Sequence, residues 1–244
     1  MAATSEFLEL IGALEEHRVP SSVSLDLSHI GLSVDRSVCL DNAFAIADRA
    51  ALAGCEVMIS MEESDKTDQI LEIHGRLAGK HEHVGITIQT RPNRSRSDLA
   101  VLMERPGRVR LVKGAYAEPP DRASFDPSVV DTRYRELATE LVTSGHPCSV
   151  ATHDAGLIAS MMSVLQRVNG KSSTAEIEML DGVQVDVAEA VLRAGLPVRK
   201  YIVYGREWFL YLMHRLAEHP PAVFDALKDF VEGLPPESQT ALLT

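Results

Sequence analysis

Apolar residues recur along the chain with two alternating periods. Where they fall every third or fourth position a helix is predicted, and where they alternate or cluster in short β-branched runs a strand is predicted. On that basis residues 5–16 form a helix, with Thr4 or Ser5 as its cap, and 22–27 form the first strand. A long alanine-rich helix runs from Ser33 to about Ala53, ahead of Gly54. Strand 55–60, helix 65–78, strand 84–89 and helix 95–103 follow. The pattern continues with strand 108–113, a polar loop at 121–127, helix 128–144, strand 147–152 and helix 155–168. Strands 175–180 and 198–203 enclose helix 185–194, and amphipathic segments at 208–217 and 221–233 complete the chain.

Strand and helix thus alternate strictly through seven strands. Such alternation predicts a parallel sheet, and no glycine-rich dinucleotide fingerprint follows the first strand. The expected fold class is α/β, a TIM-like (β/α) barrel, with its active site at the carboxyl ends of the strands. No internal repeat, low-complexity tract or linker divides it, so residues 1–244 are expected to be one domain. A formal charge of −11 argues against nucleic acid as the main partner. No run approaches the ~18 apolar residues of a membrane span, and the first residues lack a signal-peptide pattern. Cys39, Cys55 and Cys148 are too few and too scattered for a disulfide framework or metal site. A cytoplasmic protein, at most peripheral to a membrane, is expected.

The stretch Arg108-Val-Arg-Leu-Val-Lys-Gly-Ala-Tyr116 interleaves cations with a short apolar strand. A mid-strand arginine is costly to bury unpaired. It therefore pairs with a carboxylate, lines an anion-binding site, or lies on a solvated edge. The other strand ends carry Asp26, Ser60, Gln89, Thr152-His153-Asp154, Glu178 with Asp181, and Tyr201. This polar, aromatic and cationic set suits a large cofactor with an acidic part, although Thr152 or Asp154 could equally cap the next helix. His81 and His83 have metal-ligand spacing but precede a strand, on the face opposite the expected site, so no metal is assigned. Further on, Tyr211, His214, Arg215 and Glu218 fall along one helical stripe. There Arg215 could hold a carboxylate with Glu218 orienting it, or form a plain surface ion pair with it.

Arg110-Leu-Val-Lys-Gly-Ala-Tyr116, Ala151-Thr-His-Asp154, Glu176-Ile-Glu-Met-Leu-Asp-Gly-Val183 and residues 201–218 together closely resemble the proline dehydrogenase family. Those enzymes are FAD-dependent barrels that oxidise proline to pyrroline-5-carboxylate. The resemblance implies a flavin shell of Gln89, Arg110, Val112, Lys113, Gly114, Ala115, Thr152 and His153. It places Tyr116, Tyr201 and Arg215 as catalytic residues. Asp26, Ser60, Asp181, Tyr211, His214, Arg215 and Glu218 would contact the substrate. Cations and donors near flavin N1 and O2 would raise its potential.

Several positions depart from the family pattern. His214-Arg215 stands for a usual Arg-Arg pair, Asp26 for a lysine, and Ser60 for an aspartate. Asp181 stands for a tyrosine and Val203 for a proline. The flavin shell is nearly whole, whereas the substrate shell is altered. The implied function is FAD-dependent oxidation of a small secondary amine or cyclic amino-acid-like substrate, by hydride transfer to flavin N5. Genuine proline dehydrogenase activity and a non-catalytic, flavin- or amino-acid-binding relative are the alternatives. The electron acceptor, quinone or oxygen, is open. The family's first strand is also expected to be missing ahead of residue 5, leaving a seam. A homo-oligomer, the chain's own termini or local rearrangement would cover it, or the start of the gene product is absent.

Overall fold

A computed structural model describes residues 2–169 and 174–205. The expected segments at 208–217 and 221–233 lie outside the described residues. Seven strands form one parallel sheet in chain order: β1 (Ser22–Leu25), β2 (Glu56–Ile59), β3 (Val84–Gln89), β4 (Val109–Val112), β5 (Cys148–Ala151), β6 (Ala175–Leu180) and β7 (Val198–Tyr201). The helices are α1 (Ala2–Glu16), α2 (Arg36–Ala53), α3 (Thr67–Ala78), α4 (Ser95–Leu102), α5 (Pro127–Ser144), α6 (Ala155–Asn169) and α7 (Val185–Arg193). Every element predicted within these residues is present.

The differences lie at the ends, where caps decide. Helix α1 already includes Ala2, so Thr4 is a buried residue of its first turn and neither it nor Ser5 caps it. Residue 33 lies in a turn rather than opening α2. There Asp35 is the cap, its Oδ1 accepting from the amides of Ser37 (2.7 Å) and Val38 (3.1 Å). A carboxylate at that point also meets the positive end of the helix dipole.

Alternation along the strands divides the molecule into two layers. Val23, Leu25, Val57, Ile59, Ile86, Ile88, Val109, Leu111, Val150 and Ile177 are buried in the apolar core. The intervening positions, Ser22, Ser24, Glu56, Thr87, Gln89, Arg110, Glu176, Glu178, Arg199 and Tyr201, line the concave side. A closed barrel of this class normally fills its lumen with branched aliphatic side chains. Here polar and charged groups take those places, so the concave side forms a cavity.

Strands β1 and β7 end the sheet, and neither edge pairs with another strand among the described residues. Side chains bridge the gap instead. Arg199 of β7 donates to Ser22 Oγ of β1 (2.9 Å) and Glu56 of β2 (3.1 Å), while its Nε meets Glu176 at 2.5 Å. Arg108 joins the same carboxylates at 3.1 and 3.5 Å. This network sits at the amino-terminal end of the strands, away from the expected site.

Candidate functional site

A cavity of about 2790 Å³, bounded by described residues, runs along the concave side of the sheet from the amino-terminal to the carboxyl ends of the strands. That is several times the ~300–1,000 Å³ of a drug-sized site. It has room for a ligand of dinucleotide size.

Arg110 is the central cation. It is 6% exposed, and its Nε lies 2.8 Å from Glu178 Oε1 of β6. The contact is within ion-pair reach but is not aligned as a hydrogen bond. A terminal nitrogen donates to Ser24 Oγ of β1 (2.8 Å), and the guanidinium lies 5.2 Å from the ring centroid of Tyr201. One side chain from β4 thus meets β1, β6 and β7. Burial raises the Tyr201 phenol above its ordinary pKa, with the Arg110 charge opposing.

Lys113 follows β4 and meets two carboxylates, Asp131 of α5 at 2.7 Å and Asp154 at 2.9 Å. Burial works against the ammonium, but the two anions outweigh it and hold its pKa above the ordinary lysine value. Asp154 is also the cap of α6, its Oδ1 accepting from the amides of Gly156 and Leu157 at 3.0 Å each. Burial alone would raise this carboxyl's pKa. The Lys113 bond and the helix amides reverse that and hold it low.

Gln89 is buried at the end of β3, and its Nε2 donates to the Glu62 carbonyl (3.1 Å). The Glu62 carboxylate is itself gripped by the Ser28 amide (2.9 Å), the Ser28 hydroxyl and Lys66 (2.9 Å). Gly114 then crosses Gln89 closely. Its φ is +102°, and a Cβ there would stand 2.6 Å from Gln89 Oε1. Only glycine fits this crossing without strain. Thr152 is buried and its hydroxyl accepts from the Asp154 amide (3.1 Å). His153 Nε2 accepts from the Leu180 amide (2.9 Å), so the proton of the neutral ring is on Nδ1.

Val112, Ala115, Tyr116, Asp26 and Ser60 also line the cavity. Asp181 does not join them; it is exposed and pairs with Lys200 at 2.9 Å. Tyr211, His214, Arg215 and Glu218 lie outside the described residues. Three further participants went unassigned in the sequence. Alternation with Val23 and Leu25 could have pointed Ser24 inward. Asp131, inside α5, carries no local signal at all. Arg91, two residues past Gln89, also lines the cavity. Among the described residues no group of three or more His, Cys, Asp or Glu is placed to hold a metal ion. His81 pairs with Asp48 at 3.1 Å beside His83, and the three cysteines are buried and free.

The donor set fits a flavin. Its pyrimidine edge offers several acceptors and one N–H, and this wall presents an amide, a guanidinium, an ammonium and a hydroxyl. Four buried polar atoms of cavity-lining residues, Thr87 Oγ1, Arg91 Nε, Arg110 Nε and Glu178 Oε2, have no hydrogen-bond partner among the described residues. They are the signature of a site that expects polar company.

Comparison with known proteins agrees. The family model described as proline dehydrogenase matches residues 2–220. This chain belongs to the proline dehydrogenase family. It is 34% identical to the proline dehydrogenase of Deinococcus radiodurans over 234 residues, covering 93% of this chain and 75% of that protein. Proline dehydrogenase 1 of Bacillus subtilis is 31% identical over 227 residues, with coverage of 93% and 75%. Among solved structures, proline utilization A from Bdellovibrio bacteriovorus, inactivated by N-propargylglycine, superposes with a TM-score of 0.77 at 20% identity. A proline utilization A variant from Bradyrhizobium japonicum gives 0.76 at 21% identity. The chain spans only 28% and 27% of those two longer chains, and 88% and 92% of itself is matched. These structures establish the barrel-type fold. This proline dehydrogenase family member is by family an oxidoreductase, as the motifs implied. No helix of the described residues is long and apolar enough to cross a membrane.

Proposed function

We propose that this chain is an FAD-dependent dehydrogenase that oxidises a small cyclic secondary amine of the proline type. The observation that carries the reading is the set Gln89, Arg110, Lys113, Thr152 and His153. In a chain of this family it is gathered on one cavity wall made by three adjacent strands, β3 to β5, with Arg110 inside β4 and the other four at or just past the carboxyl ends. When bound, the flavin supplies a two-electron acceptor at N5 for the hydrogen on the carbon beside the amine nitrogen. The protein's own contribution is positioning and charge. Gln89, locked through Glu62, and the Gly114 crossing form a rigid ledge for the planar ring. Arg110 and Lys113 would offer their charge to the polar edge of a bound flavin. Tyr116 and Tyr201 narrow the cavity beside it and exclude water. Asp26 favours a protonated amine at the mouth, and by family resemblance Arg215 is the candidate for a substrate carboxylate, with Glu218 as its candidate partner.

Asp26, Ser60 and His214 stand where the family usually has other groups, which favours a substrate differing from proline in its polar substituents. The purified protein's visible spectrum tests both levels. Flavin bands bleached by proline at modest concentration identify proline as substrate. Bleaching by other cyclic amines alone identifies an altered specificity. A colourless protein that takes up no added FAD refutes the reading.

A further inference from the structure

Glu178 has no role in the scheme above. It stands on β6, opposite Ala151 of β5, in the cavity wall and only 3% exposed. Oε1 lies against Arg110, and Oε2 is buried without a hydrogen-bond partner among the described residues. A buried carboxylate with an unused oxygen is costly, and a wall needed only for packing would carry an apolar or amide side chain there. Its effect on the charge of the wall is direct. The two cations, Arg110 and Lys113, face three carboxylates within 3 Å: Glu178 at 2.8 Å, Asp131 at 2.7 Å and Asp154 at 2.9 Å. A wall that looks cationic in the sequence thus presents no net positive charge.

We propose that Glu178 is a positioning residue that neutralises Arg110 and so sets the reduction potential of the bound flavin. The inference rests on the FAD reading above. Reduced flavin carries negative charge near N1 and O2, which an adjacent cation stabilises. A carboxylate paired to that cation cancels the stabilisation, the more so because both side chains are buried and screened little by water. Glu178 also fixes the guanidinium between β1 and β7, where Ser24 and the Tyr201 ring hold its other faces.

The test compares the full-length wild type with Glu178→Gln, which preserves volume and removes the charge. FAD affinity is measured by titration, and the two-electron midpoint potential by reduction against a reference dye. Glu178→Gln is expected to retain FAD and shift the equilibrium at least tenfold toward the reduced form, about 30 mV upward. A bound flavin whose equilibrium moves less than threefold, or moves downward, overturns the inference while leaving the FAD reading intact. Wild-type protein that takes up no FAD overturns both. Should Glu178→Gln be insoluble, the double variant Arg110→Gln/Glu178→Gln removes the pair together, which buried ion pairs tolerate better than loss of one partner. An equilibrium within threefold of wild type then supports a pair that is already neutral. A tenfold fall shows Arg110 acting as an uncompensated cation and overturns the inference.

Discussion

Replacing Gly114 by alanine probes the ledge on which the proposed cofactor rests. The residue sits at φ +102°, where an L side chain is strained by ~1–3 kcal/mol. The new Cβ would lie 2.6 Å from Gln89 Oε1 and 3.2 Å from Gln89 Cβ, so the amide must turn away. Turning breaks its bond to the Glu62 carbonyl, worth about 1 kcal/mol net. The two effects together reach ~2–4 kcal/mol, which in a domain of this size lowers Tm by roughly 5–15 °C. Because Gln89 belongs to the same wall, FAD affinity should fall by tenfold or more, about 1.4 kcal/mol. Thermal unfolding followed by circular dichroism measures the first effect and flavin fluorescence titration the second. The double variant Gln89→Ala/Gly114→Ala separates the causes, since it relieves the 2.6 Å clash with Oε1 and leaves the backbone strain and the 3.2 Å contact with Cβ of residue 89. If Gly114→Ala unfolds within about 3 °C of wild type, a shift of roughly 1 kcal/mol, and binds FAD equally well, the close crossing does not organise the site.

Two further outcomes concern the frame around the site. His74 is buried in α3, with Nε2 toward the Val84 carbonyl (3.3 Å) and Nδ1 toward Arg105 (3.3 Å). Burial first, and then the Arg105 charge, push its pKa down from 6.5 to about 4. Between those values the unfolded chain binds a proton that the folded chain refuses. Stability should therefore fall as the pH drops from about 6.5 to about 4, by up to ~3 kcal/mol, and His74→Gln should flatten that slope in urea titrations. Arg199→Met removes the cation that joins β7 to β1 and β2 and leaves Glu56 short of a partner. Discounted for its partial exposure, the loss should be about 2–3 kcal/mol, read as a lower urea midpoint. An unchanged midpoint would show that the open edges need no such tie.

The sequence by itself determined the seven strands, their alternation with helices and the end of the sheet at which chemistry gathers. These follow from periods of two and 3.6 residues and from short-range stop signals such as Gly54 after α2, which operate within a few positions of the chain. It also identified Gln89, Lys113, Thr152 and His153, which stand at strands' carboxyl ends, and Arg110, an arginine inside β4 that the family motif singled out. Tertiary structure alone decided what these groups meet. Arg110 reaches Ser24 across 86 residues, Lys113 reaches Asp154 across 41, and Arg199 reaches Ser22 across 177. Alternation tells which face a side chain takes, but its opposite number depends on the curvature and stagger of the whole sheet. The balance of charge at the site is a property of that closure. Three carboxylates, far apart in the chain, turn an apparently cationic strand into a compensated wall.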